Sequence, residues 1–306
     1  MRPSRSTFVS LVLSAIVALT SDARAQSCCA GGGAITPARL APHELALVGL
    51  QTKSSLVYGD FDAHGSWGGA APGSSELDLE QNLFAAARLL KRLQLSLLAP
   101  LVETRRTTRS TGADFGGGVG DINASARLDF TMAGQARFVP GIALLAGLTL
   151  PTGRPPDAAT NTLATDATGI GAFQGNFGLA VEQTFGPWLV NLSGLVALRT
   201  ARSVGPVNEV LGAQFTALGA VGYSFRNDAA IAFVVSYTGE GDATINGQAA
   251  SGSSRRSLVL SVASVLPITD TWRVQGSLFA HPPLEPFGRN QATAVGLTLG
   301  VIKAWN

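Results

Sequence analysis

Two adjacent cysteines, three histidines and a few spaced carboxylates are the residues of this 306-residue chain whose types could do chemistry. Cys28 and Cys29 are chain neighbours, so their Cα atoms lie about 3.8 Å apart, short of the roughly 4.4–6.8 Å that a disulfide prefers. A bond between them would be strained. Metal or redox chemistry with His43 stays open, as does lipidation, although Ala25-Gln26-Ser27 is a poor context for it. Asp60-Phe61-Asp62-Ala63-His64-Gly65 begins like a calcium loop, where spaced oxygens encircle the ion and Gly permits the turn. The closing twelfth position is Ala71 where Glu would be needed. Cys28, Cys29, Asp60 and Asp62 are therefore weak metal candidates, and the expectation is a chain with no cofactor and no resident metal.

Catalysis finds little support. His43, His64 and His281 are the three histidines, and there is no Gly-x-Ser-x-Gly elbow to carry a nucleophile. Gly116-Gly117-Gly118-Val119-Gly120-Asp121 looks like a phosphate loop, but no Lys-Ser/Thr follows and no helix opens after it. Its glycines read better as a loop re-entering a strand. The expectation is a protein that is not an enzyme. The polar residues with a patterned role are instead Arg88, Asp121, Arg127, Asp129, Glu182 and Arg273, which recur on one face of otherwise apolar stretches.

Those stretches alternate apolar and polar residues and number twelve, near 44–58, 76–90, 92–105, 119–131, 136–152, 169–185, 187–200, 211–226, 228–240, 256–268, 270–281 and 291–305. Their connections alternate too. Long segments rich in Gly, Ser, Pro, Asp and Arg lie around 59–75, 106–118, 153–168, 201–210, 241–255 and 282–290. Tight ones fall at Lys91, Met132 to Gln135, Gly186-Pro187, Arg226-Asn227-Asp228 and Thr269-Asp270-Thr271. Short periplasmic turns, long extracellular loops and an even strand number are the pattern of an outer-membrane barrel. Several stretches exceed ten residues, longer than the usual 5–6 of soluble strands and close to the roughly 9–11 that cross a membrane. The fold expected is all-β: a transmembrane antiparallel up-and-down barrel of about 12 strands, of the outer-membrane type.

Alternation also assigns the faces. Leu95, Leu97 and Leu101, Trp188 and Leu192, Ile231 and Phe233, and Leu297 and Leu299 should meet lipid. Asn82, Arg88, Asn123, Ser125, Arg127, Asp129, Asn176, Glu182, Arg273 and Gln275 should line the lumen. Arg88, Arg127, Asp129, Glu182 and Arg273 sit within a few residues of the short turns. They are expected to form a mixed-charge ring, either a selectivity element or a set of salt bridges bracing the wall. Trp188, Tyr223, Phe225, Trp272 and Trp305 fall at the same depth and should form the periplasmic aromatic girdle. The first strand has the least clean alternation, which predicts a bulge.

The N-terminus reads as an address. Arg2 and Arg5, the apolar run Phe8 to Leu19, and Ala23-Arg24-Ala25 compose a cleavable secretory signal over residues 1–25. Residues 26–43 are a periplasmic extension with a plug as one role open to it, and 44–306 the barrel. Removing Arg2, Arg5, Arg24 and Asp22 from 22 basic and 20 acidic residues leaves 19 of each. A neutral chain gives no electrostatic case for nucleic acid. The partners expected are the outer-membrane bilayer and a small-molecule solute, with location in the bacterial outer membrane.

Three short motifs carry a family resemblance: Gly118-Val119-Gly120-Asp121-Ile122, Gly147-Leu148-Thr149-Leu150-Pro151-Thr152-Gly153, and Gly169-Ile170-Gly171. Their order resembles the MetA-pathway-of-phenol-degradation family of outer-membrane transporters over the middle third of the chain. That resemblance implies a barrel associated with passage of small, often hydrophobic molecules. The leading expectation is thus a channel for small solutes, including hydrophobic or aromatic ones, that works by diffusion through the lumen. The alternatives are a plugged structural or binding barrel that uses its extracellular loops, and a lipid-acting outer-membrane enzyme.

Overall fold

The computed structural model describes residues 38–134 and 138–306. The signal segment and Cys28-Cys29 lie outside the described residues. Twelve long strands make the wall: β1 (Ala46–Phe61), β2 (Ser75–Leu90), β3 (Leu93–Thr108), β4 (Ile122–Thr131), β5 (Gly141–Leu150), β6 (Gln174–Phe185), β7 (Trp188–Arg199), β8 (Gln214–Ser224), β9 (Ala230–Glu240), β10 (Arg255–Pro267), β11 (Trp272–Ala280) and β12 (Gln291–Trp305). Each pairs antiparallel with its chain neighbours, and β1 pairs with β12 from Ala46↔Trp305 to Phe61↔Gln291, which closes the sheet. Closure pairs the two edge strands with each other, so neither β1 nor β12 leaves an open ladder facing lipid.

Side chains sort by parity, and the sorting is inverted relative to a soluble protein. Leu97, Leu192 and Leu299 are 51%, 59% and 60% exposed on the outside. Glu182, Asn191 and Gln94 are buried within. So continuous an apolar exterior is stable only in a lipid solvent. At the short-turn end, Trp188 meets Tyr223 at 5.0 Å between ring centroids and Tyr223 meets Phe225 at 5.1 Å. At the same end, on β11 and β12, the outward-facing Lys303 lies 5.5 Å from the Trp272 ring and 5.2 Å from that of Trp305. An ammonium over indole faces suits the headgroup level. The short turns have the chemistry their geometry demands: Gly186 and Asp228 adopt φ of 59° and 60°, conformations that Gly takes freely and Asp tolerates.

The structure departs from the sequence reading in three places. Segment 106–118, expected as a long loop, is a hairpin: β3 runs to Thr108, and Gly112–Val119 returns beside its upper half before Gly120-Asp121 breaks the register and β4 begins. Alternation was masked there by glycines at 116–118 and 120. The sixth strand begins at Gln174, not 169, because 169–171 is spent on a loop contact described below. The fifth begins at Gly141. The expected bulge in β1 falls between Val57 and Gly59.

On the long-loop side, Arg202–Val204, Val207–Val210, Thr244–Ile245 and Gln248–Ala249 form a separate small sheet above the wall. Segment 151–173 packs against Gly112–Val119, which has no β5 partner. Asp121 pins it: Oδ1 accepts the Gly153 N–H at 2.8 Å and Oδ2 the Ile170 N–H at 2.7 Å. Thr152 Oγ1 donates to the Gly120 carbonyl and accepts from the Ile122 N–H.

Candidate functional site in the barrel lumen

The floor of the lumen is built from the ends of five strands and a segment from the N-terminal side. Alternation points Arg88 (β2), Gln94 (β3), Arg127 and Asp129 (β4), Glu182 (β6) and Arg273 (β11) inward near the short turns. Into this ring comes Ala38–Glu44. The Gln94 amide grips it in both directions, donating to the Ala38 carbonyl at 2.7 Å and accepting the Leu40 N–H at 3.1 Å. Arg88 donates to the carbonyls of Ala41 (2.7 Å) and Glu44 (3.0 Å). Glu44 accepts the Ala41 N–H at 2.8 Å and pairs with Arg273.

Arg39 makes the strongest tie. Its two terminal nitrogens meet the two carboxylate oxygens of Glu182, which also accepts from Asn191 Nδ2 at 2.7 Å and lies 3.3 Å from Arg127 Nη1. Arg127 Nε in turn donates to Asp129 at 2.9 Å. Four guanidinium groups thus face three carboxylates. Paired, fork-shaped contacts of this kind fix geometry as well as charge. These charges gather around a segment of the chain, Arg88 and Arg273 holding its Ala41–Glu44 end and Glu182 its Arg39.

An apolar cluster seals the segment from the side. Ala38 and Leu40 pack with Leu47, Phe84, Ala86, Ile302 and Ala304, and Leu98 lies against them. Phe84 lies across Gly49, where a Cβ would come within 2.4 Å of its ring. The expected periplasmic extension therefore ends, from Ala38 onward, inside the barrel.

Among the described residues the lumen holds two larger cavities. One of about 360 Å³ has Arg39, Arg127 and Glu182 among its lining, with Ser96, Ser125 and Asn123 and the apolar Leu98, Leu145 and Leu195. The other, about 320 Å³, is more polar, lined by Lys53, Glu80, Asn82, Gln275 and Ser277 among others. Leu98 borders both. A crevice of about 30 Å³ between Arg39, Arg88, Arg127 and Glu182 adjoins the first. On the long-loop side Arg199 pairs with Glu240 at 2.8 Å and donates to Gln174 at 2.7 Å.

Two candidates change role. Asp121 is not a lumen charge: with the register broken at Gly120, its carboxylate is consumed by backbone N–H groups of segment 151–173. Asp62 caps its own turn, accepting the N–H groups of His64 (2.8 Å) and Ser66 (2.9 Å), which hold its carboxyl below the ordinary range. Among the described residues no three of His, Cys, Asp and Glu converge as metal ligands. Asn191 reads from the sequence as lumen polarity and lies buried there, whereas sequence reasoning missed Arg39 and Glu44. Arg39 precedes the alternating stretches and Glu44 opens the first of them, and neither carried a signal of where it docks.

A closed barrel of twelve strands with an apolar exterior and a charged, cavity-bearing interior defines a transmembrane barrel of the outer-membrane type. The COG4313 outer membrane channel from Pseudomonas putida F1 has a similar fold. The likeness covers 88% of this chain and 98% of that one at a TM-score of 0.72 and 16% identity. The KdgM porin (TM-score 0.47, 9% identity, 84% and 99% covered) and the β domain of the Bordetella autotransporter BrkA (0.49, 10%, 86% and 100%) match more loosely. No family model matches the sequence, and no curated protein does.

Proposed function

We propose that the protein is an outer-membrane channel for small solutes, with the Ala38–Glu44 segment narrowing its periplasmic end. The observation that carries this reading is a polar lumen with two cavities above a floor latched by Arg39 and Glu182. A barrel serving only as a scaffold has no need of such space. Solute would move by exchanging water for the Ser, Asn and Gln groups of the wall, and the floor's excess of one positive charge would favour anions slightly. The chain would reach the membrane through the signal at 1–25, with its long loops outside and the N-terminal segment on the periplasmic side.

The resemblance to the MetA-pathway family supports small hydrophobic or aromatic solutes. So does the first cavity, where Leu98, Leu145 and Leu195 face Ser and Asn side chains. A plugged binding barrel is the second reading, supported by the complete pairing of the floor. Planar-bilayer conductance and liposome swelling of the wild type and Arg39→Ala separate the two. The channel reading expects a small conductance that rises in the variant and uptake of neutral aromatic solutes; no conductance in either protein would overturn it. Lipid hydrolysis by the purified protein would instead favour the enzyme.

A further inference from the structure

We propose that the outer face of the barrel carries a binding site for the phosphate of an outer-leaflet lipid headgroup, formed by Arg256 and Arg289. The two residues exchange reciprocal backbone hydrogen bonds, Arg256 N–H to the Arg289 carbonyl at 3.0 Å and the reverse at 3.1 Å. Directly opposed residues in an antiparallel bridge project from the same face. That face is the outside: Glu240 is turned inward by its pair with Arg199, its partner Arg255 follows it, and Arg256 points the other way.

Two like charges set opposite each other repel, and neither arginine has an ion pair within the described chain. The acidic groups nearby do not compensate. Glu285, on the same loop as Arg289, pairs with neither, and the Asp62 carboxylate is occupied by its turn. The pair is held rigidly, because Asn290 Nδ2 donates to the carbonyls of Gly252 and Ser254. Below it Phe287 packs edge-on against the outward-facing Tyr237, 6.2 Å between centroids, with Leu284 and Phe287 exposed. An apolar and aromatic shelf beneath two guanidinium groups matches an acyl chain beneath a phosphate.

Depth identifies the occupant. Ile268, the residue after β10 ends, donates its N–H to the Trp272 carbonyl, which sets it level with that girdle residue and marks the lower edge. From there β10 climbs to Arg256 by about 30 Å, at about 3.4 Å per residue and a tilt of about 40°, just past an apolar band about 25 Å tall. Guanidinium forks are suited to phosphate oxygens at that level.

The test is native mass spectrometry of the full-length protein in neutral detergent. It is titrated with diphosphorylated lipid A, with its dephosphorylated form, and with inorganic phosphate. Each basic group near a lipid surface contributes about fivefold, so Arg256→Gln/Arg289→Gln should bind the phosphorylated lipid about twenty-five-fold more weakly. Heat-modifiability on a gel checks that the variant is folded. Arg105→Gln, which removes another outward-facing arginine, should leave affinity unchanged. Equal affinity for the two lipids, unaltered binding by the double variant, or an equal loss in Arg105→Gln would overturn the site. Inorganic phosphate bound as tightly would assign the pair to soluble anions and overturn the lipid. Conductance is expected to be unaffected, so this result stands apart from the channel assay.

Discussion

Arg39 and Glu182, 143 residues apart in sequence, form a two-pronged ion pair across the floor of the lumen. Glu182 is nearly fully buried and Arg39 is 11% exposed, so the pair is poorly screened by solvent. Removing one partner of a buried pair leaves the other uncompensated, at a cost of about 3–5 kcal/mol. Arg127 would retain part of the interaction with Glu182.

Arg39→Ala should therefore free Ala38–Glu44 from the ring and raise single-channel conductance while lowering the temperature of barrel unfolding. Glu182→Gln should raise conductance as well, since it leaves Arg39 without its carboxylate. Bilayer recordings paired with a heat-modifiability gel check both variants. Conductance unchanged from wild type would mean that the segment stays in place without its latch.

The two faces of β3 make a second prediction. Leu97 is exposed outward and Ser96 lies inward, its hydroxyl 2.6 Å from that of Ser125. Leu97→Arg should destabilise the folded barrel by about 2–4 kcal/mol near the membrane midplane. Ser96→Arg should cost less, because the new charge meets the lumen. Urea unfolding in lipid vesicles measures both, and equal losses would refute the face assignment.

Gly116 and Gly118 differ in what lies over them. A Cβ on Gly116 would come 2.6 Å from Asn161 Nδ2 and 2.8 Å from backbone atoms of Thr165 and Asp166, whereas one on Gly118 would meet nothing closer than 3.8 Å. Gly116→Ala should push segment 151–173 off the wall, at a cost of about 1–3 kcal/mol. Gly118→Ala should be tolerated. Limited proteolysis of that segment discriminates them, with faster cleavage expected only in the first.

The same segment has an acid-sensitive hold. The Thr160 N–H and hydroxyl, the Asn161 N–H and Arg154 all converge on Asp166 and keep its carboxyl well below its ordinary 3.8. A carboxyl lowered by folding contributes fully above its unfolded value and loses that contribution as the pH falls through the folded one. Protection of the Thr160 and Asn161 amides from hydrogen exchange should thus be constant from about pH 7 to pH 5 and decline below about pH 4. In Asp166→Asn it should be low throughout; a wild-type loss already at pH 6 would assign the hold to another group.

What the sequence determined by itself was everything with a local period. Ser96 and Leu97 take opposite faces because a strand alternates every residue, and Gly186-Pro187 turns because of its own backbone chemistry. From these came the strand number, the lipid face, the girdle and the inward direction of Arg88, Arg127, Glu182 and Arg273. Only the tertiary structure decided what those residues touch. Asp121 shares parity with Asn123, yet a register break at Gly120 and two loop N–H groups from positions 153 and 170 remove it from the lumen. The three motifs of the middle third meet at that point, which their separation along the chain does not reveal. Arg39 precedes the first strand and has no alternation to read. Its place on Glu182 depends on barrel closure, which brings β6 opposite a segment that local periodicity cannot position.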